Sequence, residues 1–193
     1  MSGRSLCASY GSRAIWLAFF VAAFELAAIA NAEDVLWQTT QAGMSVQQVL
    51  TAVPGSHQTP PESRGPGNKL KDGSELWVLG ATQDIAGHPF VPNYFFIAGA
   101  LSLVRLDLQG ATKQAETEAA YDDVLKYLHG RFGKETSLRN GSMALGTITW
   151  HRGEFKQGSL VVGLSMYAIG ERKQVLSVSF RATSGSSTVG SAP

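Results

Sequence analysis

The chain has 193 residues, of which 44% are hydrophobic, 16% charged and 9% aromatic, and its formal charge is +1. That balance excludes intrinsic disorder, which couples low hydrophobicity to high net charge, and it leaves no electrostatic footprint for nucleic acid. A single cysteine excludes a disulfide-stapled scaffold, and the length fits one domain or two small ones.

Arg4 and Arg13 precede an unbroken apolar run over residues 14–24, and Ala30-Asn31-Ala32 supplies the small-x-small pattern read by signal peptidase. The pattern predicts a signal peptide over residues 1–32, cleaved after Ala32, and a mature chain in the periplasm or outside the cell. The competing assignment is an uncleaved inner-membrane anchor, because residues 14–32 are long enough to span a bilayer. Glu25 opposes it, since a carboxylate near mid-span costs about 3 kcal/mol on insertion scales. Cys7 lies before the apolar core, where a lipoprotein cysteine would follow it, so no lipid anchor is expected. Cleavage would leave no cysteine, hence no disulfide, thiol nucleophile or thiolate metal site. Removing Arg4, Arg13 and Glu25 from 16 basic and 15 acidic residues leaves a neutral chain, with no second apolar run long enough for stable membrane insertion.

Residues 44–53 predict a short helix. Ser45 and Gln48 form an S-x-x-Q capping box, Met44 and Val49 are placed as a staple, and Val46, Val49, Leu50 and Val53 make a core stripe ended by Pro54-Gly55. Residues 54–73 are rich in proline and glycine and predict an extended loop; Gly65-Pro66-Gly67 lacks the spacing of a phosphate-binding loop. Strands are expected over residues 76–85, 93–97 and 101–108, the last two as a hairpin around Ala98-Gly99-Ala100. A second helix over residues 113–132 carries the stripe Tyr121, Val124, Leu125, Leu128 and Phe132 and stops at Gly133. Three further strands follow over residues 147–152, 159–167 and 174–181, then a polar tail over residues 182–193 that is expected to be disordered.

The expected order is therefore α-β-β-β-α-β-β-β within a single α+β domain over residues 35–181, with residues 33–53 as its N-terminal segment and first helix. An antiparallel sheet with both helices on one face is the expected architecture, and it permits an internal duplication. In the C-terminal strands, alternation predicts an uncovered face bearing Thr149, His151, Ser165, Ser177, Ser179 and Arg181, and Arg105 joins it from residues 101–108. Trp77 and Trp150 are expected to point into the core. Within Pro92-Asn93-Tyr94-Phe95-Phe96, neighbours must face opposite ways, so an aromatic side chain should emerge on the uncovered side.

His57, His88, His129 and His151 form no H-x-x-x-H or H-x-H pair, so no metal or cofactor is expected. There is no G-x-S-x-G elbow, S-x-x-K, G-x-G-x-x-G or Walker loop. Asp122-Asp123 are helix neighbours pointing about 100° apart, which suits solvated surface better than a carboxylate pair.

Trp37 followed by Gly43-Met44-Ser45 and a V-x-x-V-L helix ending at Pro54-Gly55 resembles the opening of outer-membrane assembly lipoproteins of the SmpA/OmlA type. Phe95-Phe96-Ile97-Ala98-Gly99-Ala100-Leu101, with Val104, is similar to the hairpin of those proteins and of the β-lactamase-inhibitor-like fold. The resemblance covers about residues 37–108. It implies a domain that binds other proteins and carries no catalytic residues. The chain departs from it in lacking a lipobox cysteine and in its insert between first helix and sheet.

These observations lead to an expected non-catalytic periplasmic binding domain, whose partner is another envelope protein. Arg105, Thr149, His151, Ser165, Ser179 and Arg181 are its candidate contacts, without nucleic acid or metal. The alternatives are a secreted hydrolase with a site assembled from scattered His, Ser and Asp residues, and the same domain held by an uncleaved N-terminal helix.

Overall fold

The computed structural model describes residues 35–60, 62, 68–111, 113–143, 148–169 and 173–183. The expected leader with its cleavage point, residues 63–67 of the loop and the tail from residue 184 lie outside them. The elements in chain order are β1 (Val35–Trp37), β2 (Thr40–Gln41), α1 (Val46–Ala52), β3 (His57–Gln58), β4 (Glu75–Leu79), β5 (Gln83–Ile85), β6 (His88–Ile97), β7 (Ala100–Leu108), α2 (Gln114–Phe132), β8 (Ser137–Met143), β9 (Ile148–Gln157), β10 (Leu160–Ile169) and β11 (Lys173–Ala182). Strands β1 and β2 pair with each other. The remaining nine described strands form one antiparallel sheet in the order β3-β4-β6-β7-β11-β10-β9-β8, with β5 on β6. The class is α+β.

Helix α1 starts where its capping box lies: Ser45 Oγ accepts the Gln48 N–H at 3.3 Å and Gln48 Oε1 accepts the Ser45 N–H at 2.8 Å. Such a box contributes about 1 kcal/mol and also fixes the angle at which the chain enters the helix. Helix α2 has Lys113 at its N-cap without a side-chain cap, Glu116 in its first turn, and His129 and Arg131 in its last, favourable for the helix dipole. Gly133 ends it with φ +77°, a conformation that needs a residue without a Cβ.

Alternation along each strand gives the sheet two faces. Val104, Leu106, Val162, Leu164, Met166, Leu176, Val178 and Phe180 turn to the inner face and join Val49, Val53, Ala120, Tyr121, Val124 and Leu128 of the helical segments in one buried cluster. Ring contacts of Phe132 with Phe155 and Phe180, each at 6.5 Å, and of Trp37 with Phe180 at 4.9 Å hold α2 and β1 over this face.

Several boundaries differ from expectation for identifiable reasons. The first expected strand is two, β4 and β5, because the chain breaks at Gly80, whose N–H donates to the Pro92 carbonyl at 2.8 Å. The 54–73 segment is not wholly loop: β3 pairs with β4, and Thr59 is buried. Strand β6 starts at His88 rather than residue 93, and β8 was unanticipated, its Ser-Leu-Arg-Asn-Gly-Ser run having no apolar alternation. Strand β9 continues through Gly153 to Gln157, five residues past its expected end at residue 152.

Candidate functional site

The outer face of the sheet, turned away from α2, is where the sequence placed a binding surface. Register settles which candidates reach it. Arg105 pairs with Ser179, Ser179 with Gly163, Ser165 with both Ser177 and Arg152, and Arg181 with Val161; directly paired residues share a face, so these side chains stand together. Thr149 and His151 do not join them. Phe155 is fully buried in the core and lies in phase with His151 and Thr149, so all three point toward the helices. The His151 ring packs against Tyr121 of α2 with centroids 5.2 Å apart, and Thr149 Oγ1 is buried without a hydrogen-bond partner among the described residues. Trp150 is displaced in the opposite sense: it stands half-buried on the outer face rather than in the core. Trp77 matches expectation and packs partly buried against the core cluster.

One glycine, Gly163, makes a dip in the middle of this face. Gly163 is inserted where a Cβ would come within 2.6 Å of Ser179 Oγ, so the strand surface falls away there. Around it Arg152, Gly153, Glu154, Ser165, Ser179 and Arg181 line a concavity of about 270 Å³. Ser165 and Ser177 hydroxyls bond each other at 2.9 Å, and Ser179 Oγ donates to the Gly163 carbonyl at 3.3 Å. Glu154 is shared by Lys156 at 3.6 Å and Arg181 at 4.0 Å.

At the β6–β7 side of the face, Phe95 is the aromatic that emerges outward, but it is not free as an anchor. It is only 1% exposed, and the Arg105 guanidinium lies over its ring at 4.9 Å. Arg105 is itself fixed by Asp107, Nε to Oδ1 at 2.9 Å, while Asn93 Nδ2 donates to Asp107 Oδ2 at 2.8 Å. Burial pushes the Asp107 carboxyl above its ordinary value, with the Arg105 charge acting against that rise. Arg105 is thus a structural tie in the unbound domain more than a displayed contact.

His88 and His129 clip elements together. His88 Nε2 meets Asp123 Oδ2 at 3.0 Å, fastening the β5–β6 turn to α2. Asp123 also lines an open depression of about 710 Å³ with Ala86, Lys126, Tyr127, Gly130 and Arg131. Among the described residues no serine, threonine or cysteine lines that depression, so none offers the His–carboxylate pair an aliphatic hydroxyl or a thiol to activate. His129 Nε2 is hydrogen-bonded to Glu135 just beyond the helix end. Among the described residues no group of three or more His, Cys, Asp or Glu is placed to hold a metal ion. No helix among them is long and apolar enough to cross a membrane.

Glu135 is held below the usual glutamate range by its own backbone N–H and by the His129 ring. A depressed carboxylate contributes stability that is present above its unfolded value and lost as pH falls through its folded value. Glu135→Gln should therefore flatten the loss of thermal midpoint between about pH 5 and about pH 3 relative to the parent chain. Parallel acid limbs in the two proteins would remove His129–Glu135 from the stabilising contacts.

Comparison of the chain with family models, with curated proteins and with solved structures returned no match.

Proposed function

We propose that this chain is an exported, non-catalytic interaction domain of the cell envelope, which docks a partner protein on the outer face of its sheet. The observation that carries the proposal is the gathering of Ser165, Ser179, Arg152 and Arg181 around the Gly163 dip, on the face opposite the one that α2 covers among the described residues. A rigid sheet displays such side chains in rows, a geometry suited to recognition and poor in the mutually oriented acid, base and nucleophile of catalysis. Histidines serving as clips between elements also favour the non-catalytic reading over the hydrolase. The strand order fits an internal duplication of one helix followed by a run of strands. Each helix is followed by strands that end at the sheet centre, where the last strands of the two halves, β7 and β11, pair.

The test is capture from envelope extract on immobilised protein carrying Ser165→Glu with Arg181→Glu. These half-exposed and exposed positions should leave the melting midpoint nearly unchanged while abolishing retention of whatever the parent protein holds. Lys126→Glu on the exposed side of α2 is the control and should retain it. Unchanged capture by the double variant would refute a docking role for this face. For compartment and processing, N-terminal sequencing of exported protein should start at Glu33; an intact Met1 would favour the anchored alternative.

A further inference from the structure

One corner of the outer face is built differently from the rest. Register aligns Gly141 of β8, Trp150 of β9, Tyr167 of β10 and Val175 of β11 in a single row across four strands. A Cβ on Gly141 would lie 2.7 Å from Trp150 Cζ2, so the indole is laid across the β8 backbone and glycine is what lets it lie there. Trp150 and Tyr167 are half-buried, and Val175 is 36% exposed. The neighbouring row begins with Arg139 opposite Arg152, both exposed, and continues through Ser165 and Ser177. Neither of these two arginines has a carboxylate within ion-pair distance among the described residues.

Like charges directly opposite on adjacent strands repel, so this pair is unfavourable in the unbound domain. Bringing carboxylates between them reverses the sign of the interaction, and guanidinium planes bind carboxylates in bidentate fashion. The excess of positive charge extends beyond the pair. On β7 to β11 the outer face carries Arg105, Arg139, Arg152, Lys156, Lys173 and Arg181 against Asp107 and Glu154. Tryptophan, tyrosine and arginine side by side are the composition of protein-binding hot spots. A polyanion such as nucleic acid or a sulfated polysaccharide calls for a continuous basic track, and here Glu154 and Asp107 interrupt it.

We infer that this corner takes an acidic, partly apolar polypeptide segment of the partner, with its carboxylates on Arg139 and Arg152 and its apolar side chains on Trp150, Tyr167 and Val175. The inference rests on the outer face being the docking surface and names the chemistry of what docks there.

The probe is a synthetic peptide about six residues long that alternates glutamate and leucine, with the lysine–leucine analogue and a heparin fragment of similar length as comparators. Binding to the purified protein is followed by the indole N–H resonance of Trp150, assigned by its loss in Trp150→Phe. The glutamate peptide should shift that resonance, and Arg139→Gln with Arg152→Gln should weaken its affinity by about tenfold or more. Raising the salt from about 50 to about 300 mM should weaken it several-fold, and the lysine peptide should leave the resonance in place. Both arginines are exposed and repel each other, so the double variant should unfold at the parent's midpoint or slightly above it, which makes any loss of affinity attributable to the site. A stationary Trp150 resonance, undiminished binding by the double variant, or tighter arginine-dependent binding of heparin at the same corner overturns the inference. If the Ser165→Glu, Arg181→Glu protein still loses its captured partner in those cases, the docking face stands and only the acidic chemistry falls. If capture also survives there, both fall.

Discussion

Phe155→Ala is expected to destabilise the domain by about 3–5 kcal/mol, the range for truncating a fully buried phenylalanine. The ring is fully buried and sits under α2, with His129 at 5.7 Å edge-on and Phe132 at 6.5 Å, while its strand neighbour is the equally buried Val162. Helix and sheet cannot both close over the space, because Leu164 and Phe180 on either side belong to the same packed layer. A loss of this size approaches the whole stability of a marginal domain, and for a chain of this length it would lower the thermal midpoint by roughly 10 °C or more. Phe155→Leu keeps most of the volume and should cost about 1–1.5 kcal/mol. Denaturant midpoints for the two variants check the ordering; an alanine variant as stable as the parent would place Phe155 outside the core.

The second large effect is Val178→Asp. Val178 is 1% exposed and pairs with Leu106 of β7 on one side and Leu164 of β10 on the other, at the seam where the two halves of the sheet meet. A carboxylate there would stand among the apolar side chains of the buried cluster, and an uncompensated buried charge costs about 3–5 kcal/mol. The same substitution three residues earlier, Val175→Asp, should cost no more than about 0.5 kcal/mol, since Val175 is 36% exposed and belongs to the outer face. Soluble expression and urea midpoints of the pair decide the matter. Equal damage at both positions would mean that the strand is covered on both sides, and the outer face would no longer be available to a partner.

Much of this architecture was legible in residue order because it rests on local rules. The Ser45–Gln48 capping box, the Tyr121–Leu128 stripe and Gly133 act within a turn or two of themselves, and no distant contact overrides them. In β10 and β11 every second residue is apolar, so the inner face could be assigned without knowing the partner strands. Strand β9 is where the signal failed. Its first residues, Ile148-Thr149-Trp150-His151, offer two rows of which the apolar one looks like the inside. Ending the strand at Gly153 hid Phe155, the residue that sets the true phase and turns His151 and Thr149 toward Tyr121. A strand carried three residues past its expected end at residue 152 would have corrected the phase. For β8 no such cue existed, because an edge strand with one neighbour needs backbone pairing and almost no apolar pattern.

The sequence alone determined the two helices, the capping box of the first, the glycine stop of the second and the two-sided character of the late strands. These follow from steric preference and hydrophobic period, both of which operate over a few residues. Tertiary structure alone decided that β7 pairs with β11, that Trp150 lies on Gly141 at the surface while His151 goes inside, and that Arg139 faces Arg152. Those outcomes depend on strand register, which is selected by the total burial of all strands at once and is written at no single position.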